Sequence, residues 1–139
     1  MPCTALRFVV EVKISTVLGT EFHGGQVAYF SKCAIEAFAA GSVPMAGVWR
    51  LPPLYSSGIR FQKEPEHGSG NEDFALPNVC FARKWGDCDD LVIYRIWELL
   101  VSGERATCRA VWQDNAAHVL VRRANGALED PSILLGARP

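Results

Sequence analysis

The run from Asp87 to Gly103 constrains this chain most, because it contains a helix start, a helix body and a helix stop in order. Asp87 is a preferred N-cap residue, and the acidic Asp90 three residues later completes the pattern of a capping box. Gly103 stands where glycine commonly follows the last turn of a helix. Past the first turn the polar residues fall on one narrow stripe: Arg95, Glu98 and Ser102. The sequence therefore predicts a helix from about Cys88 to Ser102, covered on most sides, at the centre of the domain.

Length and charge limit the class of protein. The chain has 139 residues, 49% of them hydrophobic, which predicts one domain over residues 1–139 with a core that needs no disulfide or metal. Lys and Arg number 14 and Asp and Glu 15, and a net charge of -1 provides no field for holding nucleic acid or an anionic membrane surface. The first residues lack a signal peptide's basic region, and the apolar run over 91–101 is too short to cross a bilayer. We expect a cytoplasmic protein with neither nucleic acid nor membrane as a partner.

The remaining elements predict an α+β fold. A helix is expected from Gln26 to Ala40, ending at Gly41, and an irregular segment over about 42–70 with one short strand over 58–62. Pro77 marks either a helix start or a break. Strands are expected over 6–14, 107–112, 116–123 and 127–130. The central helix would pack on an antiparallel sheet, with the N-terminal strand and helix completing the layer. Trp97 and Trp112 are assigned to the core.

The cysteine pattern predicts reduced thiols. The five cysteines include no CxxC pair, so neither a disulfide framework nor a zinc ribbon is indicated, and no cofactor is expected. Four of them carry no further signal, and they are Cys3, Cys33, Cys80 and Cys108. Cys88 differs because it opens the central helix, where the helix dipole favours a thiolate by ~0.3 to 1 kcal/mol.

That dipole effect is too small to activate Cys88 alone. The neighbouring Asp87, Asp89 and Asp90 oppose a thiolate, so an activated Cys88 would need a cationic partner, and only an imidazole can also carry the proton. His23 and His67 stand in glycine-flanked sequences typical of exposed loops. His118 stands inside an apolar strand, where a histidine is either a core residue or a placed functional group.

The turn at residues 124–126 (Ala-Asn-Gly) decides whether Asp130 can meet His118. A two-residue turn would pair Asp130 with Val121 and put it on the opposite sheet face from His118. A three-residue loop with Gly126 in a left-handed bulge would pair Asp130 with Leu120, a diagonal same-face neighbour of His118 at about 7 Å. The sequence suits both turns, so a Cys88, His118 and Asp130 site requires the three-residue loop.

Three short motifs over about residues 83–134 resemble the transglutaminase-like branch of the papain-like cysteine enzymes. They are Gly86-Asp87-Cys88 opening a helix, His118-Val119 on a strand, and Asp130-Pro131-Ser132 on the next strand. With the sequence Tyr-Ser-Ser-Gly at 55–58, the chain is also similar to small members of this family encoded in bacteriophage and prophage genomes.

The resemblance implies acyl transfer by a Cys-His-Asp triad. Cys88 would attack an acyl carbon, His118 would take and return the proton, and Asp130 would orient the imidazole. The reaction would be amide hydrolysis by a peptidase or amidase, deamidation or transamidation of a protein or peptide substrate, in the bacterial host cytoplasm if the chain is phage-encoded. Trp85 is nominated as a second oxyanion donor after the backbone N–H of Cys88. Other expected substrate contacts are Trp49 and Tyr55, as groove walls, and Asp89, facing an amine.

Each element of this hypothesis has an alternative. Cys88 can be a packing residue, His118 a core histidine, and Asp130 a turn or capping residue before proline. The chain can also be a non-enzymatic interaction protein that keeps the fold, such as a component or assembly factor of a phage particle. A metal site of Cys88 and His118 with Asp89 or Asp90 lacks a second Cys or His at ligand spacing.

Overall fold

The computed structural model describes residues 12–13, 24–63, 71–72, 74–114 and 116–138. Cys3, His23, His67 and most of the strand expected over 6–14 lie outside these ranges. Val12–Lys13, from that strand, is extended and pairs antiparallel with Asn71–Glu72.

The elements follow one another in an α+β order. In the described ranges, no helix is both long and apolar enough to cross a membrane. Short 3-10 turns cover Val43–Met45 and Leu54–Ser56. The helices are α1 (Gly24–Ser42), α2 (Ala46–Trp49), α3 (Pro77–Arg83), α4 (Cys88–Val101) and α5 (Pro131–Leu134). The strands are β1 (Val12–Lys13), β2 (Arg60–Phe61), β3 (Asn71–Glu72), β4 (Trp85–Gly86), β5 (Thr107–Gln113), β6 (Ala116–Arg122) and β7 (Leu128–Glu129).

The central helix α4 begins and ends where its sequence predicts. Both hydrogen bonds of the capping box between Asp87 and Asp90 are present. Gly103 has a φ of 91°, in the left-handed region, and the N–H of the next residue closes the last turn onto the carbonyl of Leu99 at 2.9 Å. The helix is buried on most sides, and its least exposed side chains are Leu91, Val92, Ile93, Tyr94 and Ile96.

The antiparallel sheet has the order β5-β6-β7 and presents one face to the helices. Val119 and Val121 are fully buried and belong to the same core as α4. Residues that alternate with them, such as Arg122, and their cross-strand partners Thr107 and Arg109 are exposed. The expected antiparallel sheet with a helix layer on one side is therefore confirmed.

Helix α1 runs past its predicted end. Gly41 does not take the positive φ of a helix-ending glycine, and the helix continues to Ser42 before a 3-10 turn begins. The Oγ of Ser42 donates to the carbonyl of Phe38, and the indole N–H of Trp97 donates to the carbonyl of Ser42 at 2.8 Å. The contact with the central helix thus prolongs α1 by one residue beyond the glycine.

The core assignment is confirmed for Trp97 and wrong for Trp112. Trp97 is 4% exposed, whereas Trp112 is 41% exposed. Trp112 lies on the helix-facing side of β5, since it alternates with the buried Cys108, but it stands near the hairpin end of the strand. The extent of the helix cover, which sequence does not give, therefore leaves it open to solvent.

The segment expected to be irregular contains more structure than its prolines and glycines suggest. Two 3-10 turns, the single-turn helix α2 and strand β2 occupy its described part, residues 42–63. Leu54 and Ile59 are 0% and 1% exposed and fix the segment to the core. The predicted short strand over 58–62 is confirmed at β2, and Pro77 starts a helix.

Gly86 allows the closest approach between β4 and the start of α4. An added Cβ would lie 2.9 Å from the Sγ of Cys80, 3.0 Å from the Cβ of Asp90 and 3.2 Å from a methyl of Leu91. These atoms belong to buried residues that cannot easily move aside. A glycine two residues before Cys88 is thus required by packing.

We expect Gly86→Ala to lower the free energy of unfolding by about 1–3 kcal/mol, because overpacking forces the surrounding side chains to shift. Urea unfolding followed by circular dichroism measures this. Gly47→Ala is the matched control, since nothing lies within 4 Å of its added Cβ. Equal stability of the two variants would contradict the packing argument.

Candidate active site

The first turn of α4 holds Cys88 in a fixed position. Asp87 Oδ1 accepts from the N–H of Asp90 at 3.1 Å, and Asp90 Oδ2 accepts from the N–H of Asp87 at 3.2 Å. Cys88 lies between these two residues as the first residue of the helix. The cap therefore leaves its backbone N–H at the positive end of the helix dipole.

The Asp90 carboxylate also ties this turn to two other segments. Its Oδ1 accepts from the N–H of Ala75 at 2.7 Å, and its Oδ2 accepts from the Nη2 of Arg83 at 2.6 Å. Asp90 is fully buried, and the Arg83 side chain is 20% exposed. The start of the helix is thus held by a satisfied buried carboxylate, the role that the capping hypothesis predicts.

The hairpin between β6 and β7 has the three-residue loop. Val121 pairs with Glu129, the loop covers residues 124–126, and Gly126 has a φ of 88°. Continuing this register sets Asp130 opposite Leu120 and diagonal to His118. The Nε2 of His118 lies 2.9 Å from the Oδ2 of Asp130. The register required by the site hypothesis is confirmed.

Asp130 uses its two oxygens differently. Its Oδ1 accepts from the backbone N–H groups of Ser132 at 3.1 Å and Ile133 at 3.4 Å, at the start of α5. Its Oδ2 contacts the His118 ring. The capping role and the imidazole-orienting role were alternatives from sequence, and the carboxylate has the contacts for both.

The His118–Asp130 pair lies on the open face of the sheet. His118 alternates with Val119 and Val121, which are buried against the helices, and its side chain is 39% exposed. Helix α4 therefore does not pack over the ring. Cys88 can approach His118 only around the end of the sheet.

The contacts of Arg95 give the level of the helix along the sheet. Arg95 binds Glu129, which pairs with Val121. Arg95, in the middle of α4, therefore lies level with Val121 of β6.

The Cys88 thiol is half-buried, and its Sγ lies 3.9 Å from the Oδ1 of Asp89. Within the described residues, no hydrogen bond joins this thiol to the His118 ring. The structure thus brings together His118 and Asp130 but does not bond Cys88 to them.

Two other thiols are buried and differ from Cys88 in their surroundings. Burial raises the pKa of Cys80 to about 12. Burial, with the negative charges of Glu36 and Asp89, raises the pKa of Cys108 to about 12. Cys33, in contrast, is exposed on α1. The chain therefore contains its own reference thiols for a test of Cys88.

The remaining predicted site residues have clear neighbours. The guanidinium of Arg83 lies 3.6 Å over the ring of Trp85. Trp49 packs on Trp97 with ring centroids 5.8 Å apart. The hydroxyl of Tyr55 donates to Glu129 at 2.8 Å, and burial followed by this bond raises its pKa. Trp49 and Tyr55 thus have contacts that support the fold, in addition to any contact with substrate.

Sequence reasoning missed the importance of Glu129. Its carboxylate accepts hydrogen bonds from Arg95, Tyr55 and Arg123. The available signal was Arg95, one of the few polar residues on a helix predicted to be buried, because a buried charge requires a partner. Nothing in the pattern said that the partner would come from the strand that leads into Asp130.

The structure does not support the alternative of a metal site. Among the residues that the structure describes, no three His, Cys, Asp or Glu side chains are placed to hold one metal ion. Comparison with protein-family models, with curated proteins and with solved structures gives no match.

Acid should weaken the contribution of Glu129 to stability. Burial by itself raises the pKa of Glu129, but the hydrogen bonds from Arg95, Tyr55 and Arg123 outweigh it and lower the pKa from 4.5 to about 2. A lowered folded-state pKa contributes stability above the unfolded value, and this contribution is lost as the pH falls from about 4.5 to about 2. After allowance for solvent screening, we expect the contribution to be about 1–2 kcal/mol.

Urea unfolding of the wild type and Glu129→Gln at several pH values between 6 and 2.5 measures this. The difference in unfolding free energy between the two proteins should be largest at pH 6 and shrink below pH 4.5. A difference that stays constant over the whole range would contradict the assignment.

Proposed function

We propose that this chain is a cysteine-dependent acyl-transfer enzyme with Cys88, His118 and Asp130 as its catalytic residues. The observation that carries the proposal is the 2.9 Å contact between His118 Nε2 and Asp130 Oδ2, formed by the one hairpin register that permits it. The capped helix start at Cys88 supports it, because it offers a thiol and a backbone N–H together.

In the proposed mechanism the two ring nitrogens have different roles. Nε2 donates its proton to Asp130, so the neutral ring has its lone pair on Nδ1. Nδ1 takes the proton of the Cys88 thiol, and the thiolate attacks the acyl carbon of the substrate. The tetrahedral oxyanion is stabilised by the backbone N–H of Cys88, with the indole N–H of Trp85 as the proposed second donor.

The tetrahedral intermediate then collapses to a thioester. The bond from the acyl carbon to the leaving nitrogen breaks, the imidazolium returns its proton to that nitrogen, and a thioester on Cys88 remains. Water gives hydrolysis or deamidation, and an amine gives transamidation. Either one attacks the thioester as Nδ1 accepts its proton, the bond from the acyl carbon to Sγ breaks, and the imidazolium returns the proton to the Cys88 thiolate. For the amine, the carboxylate of Asp89 beside the thiol is the proposed contact.

Substrate binding has to draw the thiol and the ring together. In enzymes with a paired nucleophile and base, the hydrogen bond between them is often longer without substrate than in the reacting complex. We propose a protein or peptide as substrate, as the family resemblance implies.

This proposal agrees with the family resemblance of the three motifs. A transglutaminase-like peptidase or amidase of the phage-encoded type would act in the host cytoplasm without a cofactor. The resemblance adds the reaction class, while the hydrogen-bonded pair and the capped cysteine supply the physical argument.

A second candidate is a non-enzymatic interaction protein, such as a structural or assembly component of a phage particle. The observation that favours it is the capping role of Asp130, whose Oδ1 accepts from the N–H groups of Ser132 and Ile133 at the start of α5. In that case the pair of His118 and Asp130 would serve only to stabilise the hairpin.

Alkylation of each cysteine with iodoacetamide, followed by peptide mass spectrometry, separates the two candidates. At pH 6.5 a thiol with the ordinary pKa of ~8.5 is only about 1% ionised, so an activated Cys88 should react at least about tenfold faster than exposed Cys33. This excess should disappear in His118→Ala. Cys80 and Cys108 should stay unlabelled in the folded protein, because they are buried with pKa values of about 12.

Cys88→Ser confirms that the fast-labelling peptide is the expected one. If Cys88 reacts no faster than Cys33 and His118→Ala leaves its rate unchanged, the enzymatic proposal is wrong. The search should then turn to binding partners.

A further inference from the structure

The side chain of Glu129, on the two-residue strand β7, accepts hydrogen bonds from three other residues. Its Oε2 accepts from the Nε of Arg95 at 2.9 Å and the hydroxyl of Tyr55 at 2.8 Å. Its Oε1 accepts from the Nη2 of Arg95 at 3.2 Å and the Nη1 of Arg123 at 2.5 Å. The carboxylate is thus gripped from helix α4, from the 3-10 turn at Leu54–Ser56 and from the hairpin.

Arg95, one of the donors to Glu129, is itself held by other residues. The Nη1 of Arg95 donates to Glu98 Oε2 at 2.7 Å, and the other oxygen of Glu98 accepts from the N–H of Leu54 at 2.8 Å. The Arg95 side chain is 13% exposed and its guanidinium lies 4.9 Å over the Tyr55 ring. A connected network of charges therefore joins the middle of α4 to β7.

Strand β7 needs such an attachment. It is an edge strand of the sheet. Two ladder pairs, Val121 with Glu129 and Arg122 with Leu128, and the bond from the N–H of Arg123 to the carbonyl of Ala127 at 2.8 Å tie it to β6. Its successor Asp130 is bonded locally to α5 through Oδ1, a contact that does not fix β7 relative to β6. The distance from Asp130 to His118 thus depends on this short strand on one side and, on the other, on α5, which is anchored by the N–H of Phe61 donating to the carbonyl of Leu135 at 3.0 Å.

We propose that Glu129 is a positioning residue that locks β7 against α4 and thereby holds Asp130 within hydrogen-bond reach of His118. Adjacent strand residues point to opposite faces, so Glu129 is fixed from the helix side while Asp130 acts on the open side. A hydrogen bond of 2.9 Å tolerates shifts of only about 0.3 Å. In its catalytic consequence this inference rests on the proposed function, since it matters for the reaction only if His118 activates Cys88.

The tautomer and hydrogen bonding of the His118 ring test whether Glu129 positions Asp130, independently of enzymatic activity. Long-range nitrogen–proton NMR spectra report the tautomer and hydrogen bonding of the ring nitrogens. Asp130→Ala defines the spectrum of a ring that has lost its partner. We expect the His118 ring signals of Glu129→Gln to move from the wild-type position toward those of Asp130→Ala.

Two further variants control for lost charge and lost stability. Glu104→Gln removes the other carboxylate bound by Arg123 but leaves the contacts of Arg95 and Tyr55 to Glu129 in place. It should keep the wild-type ring signals. Tyr55→Phe removes one donor to Glu129 without changing charge, so it should shift the ring signals in the same direction as Glu129→Gln, by less, even if Glu129→Gln does not fold.

Cys88 labelling in the same proteins gives the catalytic readout. A misplacement of about 1 Å can cost ~100-fold in rate, so we expect Cys88 in Glu129→Gln to label at least about tenfold more slowly at pH 6.5, with Glu104→Gln unchanged. Ring signals at the wild-type position in both Glu129→Gln and Tyr55→Phe would overturn the positioning role. Ring signals that shift while wild-type Cys88 reacts no faster than Cys33 would refute the proposed function alone.

Discussion

The buried carboxylate of Asp90 is the interaction on which the rest of the structure depends. One side chain closes the capping box with Asp87, accepts from the N–H of Ala75 and pairs with Arg83. A carboxylate can be fully buried only if several donors compensate for its lost hydration. Because these donors come from three segments, the start of α4 cannot move without breaking all of them. Cys88 takes its position from this arrangement.

The sheet adds the second constraint, through a single glycine. Gly126 adopts a φ of 88° that makes the loop three residues long, and the loop length sets the register of β7. One residue fewer would turn Asp130 to the helix side of the sheet and Glu129 to the open side. The same turn therefore determines both the pairing of His118 with Asp130 and the hydrogen bonds around Glu129.

Charged side chains join the helix to the sheet, in addition to the packing of the apolar core. Arg95 and Glu98 lie on the polar stripe of α4, and both find partners in the segments that carry Tyr55 and Glu129. Apolar packing fixes the distance between layers but allows sliding, whereas directional hydrogen bonds also fix the level of one layer along the other. The polar stripe therefore fixes the level of the middle of α4 along the sheet.

Local signals in the sequence determined the limits of α4, the strands of the sheet and the order Cys88, His118, Asp130, because caps, periodicity and turn residues act over only a few positions. Such signals allowed either turn at 124–126, predicted the end of α1 too early at Gly41 and wrongly predicted that Trp112 is buried. Each of these features depends on contacts with residues distant in sequence. Tertiary structure alone decided the contacts of Asp90 with Ala75 and Arg83, the partners of Glu129 and the sheet face of His118. The physical reason is that a hydrogen bond between distant segments depends on the register and relative level of whole elements, and no short stretch of residues encodes either.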